Sequence, residues 1–275
     1  MKFFKSLLIK SVLIVLSIAF VLYPNPWLGI VQMQHFTNFE SMIDPEISGM
    51  DEINKTIDSM LPEGYTNEVE FKTVEKFVYK NIPYEYDWNT WMNIDYWPTA
   101  QEVWDAKKED CDGRAVLAAS ILRARGYKNA CLTGNFQHIW VEVDGFEIMD
   151  PMKEKSFTAT KTDDETSTTS ITIPSYSENL RLLAMHIQIF PVFRNLLLIL
   201  FPLLIIMFPL KNKNQFFIIM ILFLTGFNFL QFWSRLYNPI VNSDFIVGSG
   251  LIGIAFLFAL FKKSQTITKK ENIRI

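Results

Sequence analysis

Cysteine is nearly missing from this chain: Cys111 and Cys131 are the only two in 275 residues. At most one disulfide can form, and outside the cytoplasm a Cys111–Cys131 bond is the ordinary expectation for such a pair. Histidine is almost as scarce, with three in all. Between Leu61 and Ser156 there is only His138, so no other imidazole base is available there. Positive charge is scarce in the middle of the chain. From Pro24 to Met185 there are 27 acidic residues against 14 basic ones, a net of −13, while the remainder carries 2 acidic and 12 basic, a net of +10. Phosphate repels so acidic a block, which argues against nucleic-acid binding by it. No internal repeat is visible. No small-x-small cleavage site follows the apolar start, where Phe20, Val21, Leu22 and Tyr23 are bulky. Residues 1–23 therefore read as an uncleaved anchor rather than a signal peptide.

What the ends do contain is apolar sequence. Ser6–Tyr23 is nearly all apolar, and further runs lie near Ile187–Leu210, Phe216–Trp233 and Phe245–Phe261. Each approaches the ~20 residues that cross a bilayer, so about four transmembrane helices are expected. Lys2 and Lys5 precede the first run, Lys211 and Lys213 separate the second from the third, and Lys262, Lys263, Lys269, Lys270 and Arg274 follow the fourth. Basic residues in short flanks mark the cytoplasmic side. Both termini are thus expected in the cytoplasm and the acidic block outside, in a multi-pass protein of the cell membrane. The expected domains are an anchor (1–23), a lead-in (24–60), a compact domain (61–156), a Ser/Thr-rich linker (157–186), three membrane helices (187–262) and a basic tail (263–275). The spans show little sign of transport; Lys10 alone is an ionisable residue near a span centre.

Inside the compact domain, Glu68–Asn81 reads as a helix, with Val74, Phe77 and Val78 on one stripe and Pro83 beyond its end. Thr99 and Glu102 form a capping box. Ala115, Ala118, Ala119 and Leu122 place a close-packed face on a helix that starts near Cys111 and stops at Gly126. Strands follow at Ala130–Thr133, His138–Val143 and Phe146–Met149. Helices followed by an antiparallel sheet give an α+β layout.

Cys111 heads the alanine-rich helix, where unpaired N–H groups and the helix dipole favour a thiolate. Its neighbours Asp110 and Asp112 oppose one, and a small buried core cysteine is the plain alternative. His138 and Asp150 flank a hairpin. A three-residue loop over Val143–Gly145 pairs Glu142 with Phe146 and His138 with Asp150, on one sheet face. A two-residue Asp144-Gly145 turn pairs Val143 with Phe146 and moves Asp150 opposite Ile139, on the other face. A Cys-His-Asp triad therefore requires the first register or a compensating bulge. In that arrangement Cys111 is nucleophile, His138 the base, and Asp150 the group that orients the imidazole. The Cys111 N–H is one oxyanion donor, with Trp97, Gln101 and Trp104 as candidates for a second. A metal site of Cys111, His138 and Asp150 is a further possibility, but lacks a fourth ligand.

The stretches EDCDGRAVLAASILRARGY and QHIWVEVDGFEIMDP, preceded by FVYKNIPYEYD, resemble the transglutaminase-like superfamily over roughly Glu68–Met152. The resemblance implies a papain-like core of helices packed on an antiparallel sheet. It also implies that Cys111, His138 and Asp150 are nucleophile, base and orienting acid of a thiol enzyme acting on amide bonds through an acyl-enzyme. Facing outward, such an enzyme meets exported proteins or envelope peptides as substrates and lipid or another membrane protein as neighbours. No cofactor is expected, and Asp110-Cys111-Asp112-Gly113 lacks the spacing of a calcium loop. The alternative is a catalytically inactive module of the same kind that binds a partner at the membrane.

Overall fold

The computed structural model describes residues 2–134, 138–149, 158–162, 167–171, 189–208, 213–233 and 243–271. The chain divides into two units, Tyr23–Ile173 and a second made of Met1–Leu22 with Pro174–Ile275.

The first unit is built around one enclosed helix. α7 (Cys111–Ala124) follows α2 (Pro26–Thr37), α3 (Met50–Met60), α4 (Asn67–Asn81), the single turn α5 (Asp87–Thr90) and α6 (Ala100–Ala106). Its alanine face was expected to pack closely, but burial extends all round: every residue from Asp112 to Leu122 is buried. α3, α4 and α6 cover it on one side, and strands β1 (Cys131–Gly134) and β2 (Ile139–Val143) on the other. The capping box at Thr99 and Glu102 forms as expected and starts α6. The lead-in is part of the core, contributing Phe39, Met42, Ile47, Ile53 and Ile57. Two arginines at the end of α7 fasten it there. Arg123 pairs with Glu40, and Arg125 with Asp58 at 2.8 Å and with the buried Glu70.

β1, β2 and β3 (Phe146–Ile148) are joined by β4 (Thr158–Thr162) and β5 (Ser167–Ile171) in the order β3-β2-β1-β4-β5, with antiparallel pairing throughout. β4 and β5 fall in the segment expected to be a linker. The β2–β3 connection is the two-residue turn. Asp144 (φ +49°) and Gly145 (φ +79°) both occupy the left-handed region, and Val143 pairs with Phe146.

The expected fold class, an α+β papain-like core plus about four transmembrane helices, does not hold. The chain is mainly helical with only a small sheet, and among the described residues two helices rather than four are long and apolar enough to cross a membrane: Phe4–Leu22, within α1 (Lys2–Leu22), and Lys213–Gln231. α8 (Val192–Met207) has 16 residues between Pro191 and an extended Phe208, about 24 Å at 1.5 Å per residue against a hydrocarbon core of about 30 Å. In α10 (Ser243–Glu271) the apolar stretch among the described residues is Ile246–Leu260.

In the second unit α8, α9 (Lys213–Asn228) and α10 share a core of Leu203, Ile219, Phe223, Phe227, Ala255 and Ala259. Gly226 and Gly248 let α9 and α10 touch backbone to backbone: a Cβ on either would sit 2.8 Å from the other's carbonyl oxygen. Small residues are the usual means of such approach between apolar helices. Lys10 of α1 donates to the carbonyls of Ile205, Ile206 and Phe208 at 2.6–2.7 Å. These are orphan acceptors at the negative end of α8, where a cation is favoured.

Candidate active site

Cys111 is the first residue of α7. Asp110 caps the helix by accepting the Asp112 N–H at 3.1 Å, which fixes the cysteine at the helix mouth. Next to it, Gly113 has no room for a side chain. A Cβ there would lie 2.1 Å from Cγ of Glu109 and 2.9 Å from Pro98 and Val103. Gly113→Ala should therefore displace Glu109 and cost roughly 1–3 kcal/mol by overpacking, seen as a lower melting temperature of the solubilised chain. Both cysteines are free, so the alternative of a Cys111–Cys131 disulfide does not hold. Cys131 is buried in β1, with its thiol directed at the Glu142 carbonyl at 3.6 Å.

The surroundings of Cys111 oppose the expected thiolate. Its thiol donates to Asp112 Oδ1 at 3.3 Å. Burial first, then the Asp112 and Asp110 carboxylates, push the thiol well above its ordinary range. Arg114 is the nearby cation; its guanidinium donates to the Ile82 carbonyl and lies 5.2 Å from the rings of Tyr79 and Tyr84.

Around the helix mouth lies a group of acids that sequence reasoning missed. Oxygens of Asp87, Glu109 and Asp110 lie within 4.8 Å of one another, as do ligand atoms of Asp110, Cys111 and Asp112. These are the two sets that could hold a cation among the described residues, and neither includes His138. Glu109 accepts from Trp91 Nε1 at 2.5 Å and from the Asp110 N–H at 2.7 Å. Asp87, 2 % exposed, accepts the Tyr96 N–H at 2.7 Å through Oδ2, while Oδ1 is enclosed without a donor. Burial, and then the neighbouring acids, raise Asp87 to about 11 and Glu109 to about 8. Burial is likewise the main cause that lifts Asp110 to about 7 and Asp95 to about 6. Protons thus relieve the repulsion among these acids. In sequence these acids read as solvated charge, because nothing local announces that α5 and the Trp91–Trp97 loop bury them.

His138 immediately precedes β2, and β2 packs on α7. Its Nε2 lies 2.9 Å from the Met149 carbonyl oxygen. A carbonyl only accepts, so Nε2 carries the hydrogen and Nδ1 is the basic nitrogen of the neutral ring. Trp140 stacks on the imidazole at 6.0 Å. Met149 reaches this position by leaving the strand: its φ is +63°, a left-handed conformation that costs a non-glycine residue about 1–2 kcal/mol. Glu75 of α4 holds it there by accepting the Met149 N–H at 2.9 Å. The hairpin therefore takes the register unfavourable to a triad and then breaks it after Ile148, so strand alternation no longer fixes which face follows. Asp150 lies outside the described residues. Glu75 and Met149 gave no signal in the sequence.

No family model, curated protein or solved structure matches the chain. Function must therefore be argued from these residues. Of the three candidate oxyanion donors, the Gln101 side chain is engaged elsewhere. The Trp97 N–H donates to Gln32 Oε1 at 2.6 Å, the Gln101 amide bonds Ser48 and Asp105, and the Trp104 ring stacks on Phe77 beneath Lys107. His35, expected to be structural, is buried with Nδ1 2.5 Å from the Trp97 carbonyl oxygen.

Proposed function

We propose that this chain is a membrane-anchored thiol enzyme of the transglutaminase-like kind, acting on amide bonds. Cys111 is the nucleophile, His138 the general base and Asp150 the acid that orients the imidazole. The observation that carries the reading is the tautomer of His138. With Nε2 2.9 Å from the Met149 carbonyl, the neutral ring carries its hydrogen there and its lone pair on Nδ1, the nitrogen that takes the thiol proton; Asp150 shares the Nε2–H with that carbonyl and stabilises the imidazolium. Because the resting thiol is kept protonated, His138 acts by general-base catalysis when the substrate is bound. It takes the proton as sulfur attacks the carbonyl carbon, then delivers it to the departing amine. Water or a second amine releases the acyl group. Glu75 is a positioning residue, acting on His138 through the Met149 backbone.

The acidic unit faces the outside and both termini the cytoplasm, as the basic flanks around Lys2, Lys5 and Lys262–Lys270 favour. Its substrates are exported proteins or envelope peptides. The raised thiol supports a second reading, an inactive module that binds a partner at the membrane.

One experiment separates the two. The purified chain is treated with an activated acyl ester and the acyl-Cys111 adduct is followed by mass spectrometry, with and without His138→Ala and Asp150→Asn. The enzyme reading expects acylation that is lost in His138→Ala and slowed in Asp150→Asn. Equal rates in all three chains would leave the binding module.

A further inference from the structure

α2 (Pro26–Thr37) is an apolar, uncharged helix that leaves large apolar side chains exposed. Its polar side docks onto the first unit. Gln32 donates to Asp95 at 2.9 Å and accepts from the Trp97 N–H, and His35 is buried against the Trp97 carbonyl. On the other side three large apolar residues are uncovered, Trp27 at 68 % exposed, Ile30 at 53 % and Met33 at 72 %, beside the exposed but uncharged Gln34 and Thr37, while Phe36 stacks on Trp97. A surface helix normally turns this stripe inward. None of its twelve residues is charged.

The position of α2 in the chain says what covers that face. Only Tyr23, Pro24 and Asn25 separate it from the end of α1 at Leu22. Covalent reach alone keeps Pro26 within about 14 Å of that point. The Asn25 side chain caps α2 and its backbone is tied to Asn93, so the helix begins at once rather than after a tether. We infer that α2 lies in the plane of the bilayer interface, with Trp27, Ile30 and Met33 inserted at the boundary of headgroups and acyl chains. Helices of this kind sink about 5–10 Å into that boundary. Tryptophan at the first exposed position suits the interface. With no charged residue on the helix, insertion draws on apolar area alone and does not need anionic lipid. The inference rests on the reading of Phe4–Leu22 as a membrane span, and it makes the first unit a body lying on the membrane rather than one tethered above it.

Spin-label accessibility in the full chain tests this. In a Cys111→Ser, Cys131→Ala background, single nitroxides are placed by Met33→Cys on the stripe, Lys55→Cys on exposed α3 and Val12→Cys in the span. The chain is reconstituted in neutral phosphatidylcholine vesicles. The ratio of oxygen to nickel-chelate accessibility at Met33→Cys should exceed that at Lys55→Cys by about tenfold, because burying a side chain of this size favours the lipid-facing state at least that much. Equal ratios at those two positions, with Val12→Cys shielded from nickel, would overturn the inference and leave the span intact. Low accessibility to both reagents at Met33→Cys would also overturn it, since protein rather than lipid then covers the stripe. Nickel access at Val12→Cys would remove the span and the inference with it.

Discussion

Asp87→Asn should stabilise the chain most at pH 8, less at pH 5 and hardly at all at pH 4, and flatten its dependence on pH between. Asp87, Glu109, Asp110 and Asp95 all have folded values raised above the ordinary carboxylate range, to about 11, 8, 7 and 6. A raised carboxyl binds its proton more tightly in the folded state. The stability it contributes is complete below about pH 4, where the unfolded chain is also protonated, and is lost as pH rises through the folded value. Burial pushes Asp112 well up too, so wild-type stability should fall most steeply between about pH 5 and 6, where five carboxyls hold protons only in the folded chain. The slope then lessens past each value near 6, 7 and 8. Each unmatched proton is worth about 1.4 kcal/mol per pH unit, and mutual coupling reduces the total to a few kcal/mol. Asparagine imitates the protonated acid at any pH: its oxygen can accept the Tyr96 N–H and its amide can donate to Glu109. Thermal unfolding of the detergent-solubilised chain at pH 5 and pH 8 reads this directly. A loss of stability at both pH values would mean that Asp87 needs its charge.

Asp112→Asn should speed alkylation of Cys111 at pH 8 by at least about tenfold, the equivalent of one unit in thiol pKa. In the wild-type chain the thiol is buried, donates to Asp112 and faces Asp110, so labelling should be slow at neutral pH and climb only above pH 9. An asparagine in place of Asp112 removes one opposing charge and offers the sulfur an N–H donor, while its backbone N–H still receives the Asp110 cap. Maleimide labelling in Cys131→Ala measures the rate across pH. If the profile does not move, burial alone holds the thiol up, and Asp112 plays no electrostatic part in the site.

What the sequence disclosed depended on how local each feature is. The start of α7 at Cys111, the capping box of α6 and the strands around Asp144-Gly145 are written in neighbouring residues, and all three are in the structure. The hairpin left two registers open; Asp-Gly took its usual two-residue turn. The break at Met149 could not be anticipated, since nothing about methionine favours φ +63°. It comes from Glu75, 74 positions earlier. The acid group was hidden for a similar reason: Asp87 and Glu109 are far apart along the chain and each is unremarkable alone. Apolar composition overcounted the spans because it does not show where a helix ends. The proline at 191 and the extended residue at 208 cut the second run to a length below the bilayer core.

The Lys10 contacts carry a consequence for biosynthesis. The carbonyls that receive its ammonium lie 195 to 198 residues downstream. At roughly 5–20 residues per second, the ribosome needs about 10–40 s to make them. Throughout that interval α1 exists with a lysine in the midst of its apolar run and no α8 to receive it. On the reading of α1 as a membrane span, the nascent helix must hold that charge at a lipid headgroup or within the insertion machinery. Its final depth is then set only when the last third of the protein arrives, so the chain's first helix is among the last to settle.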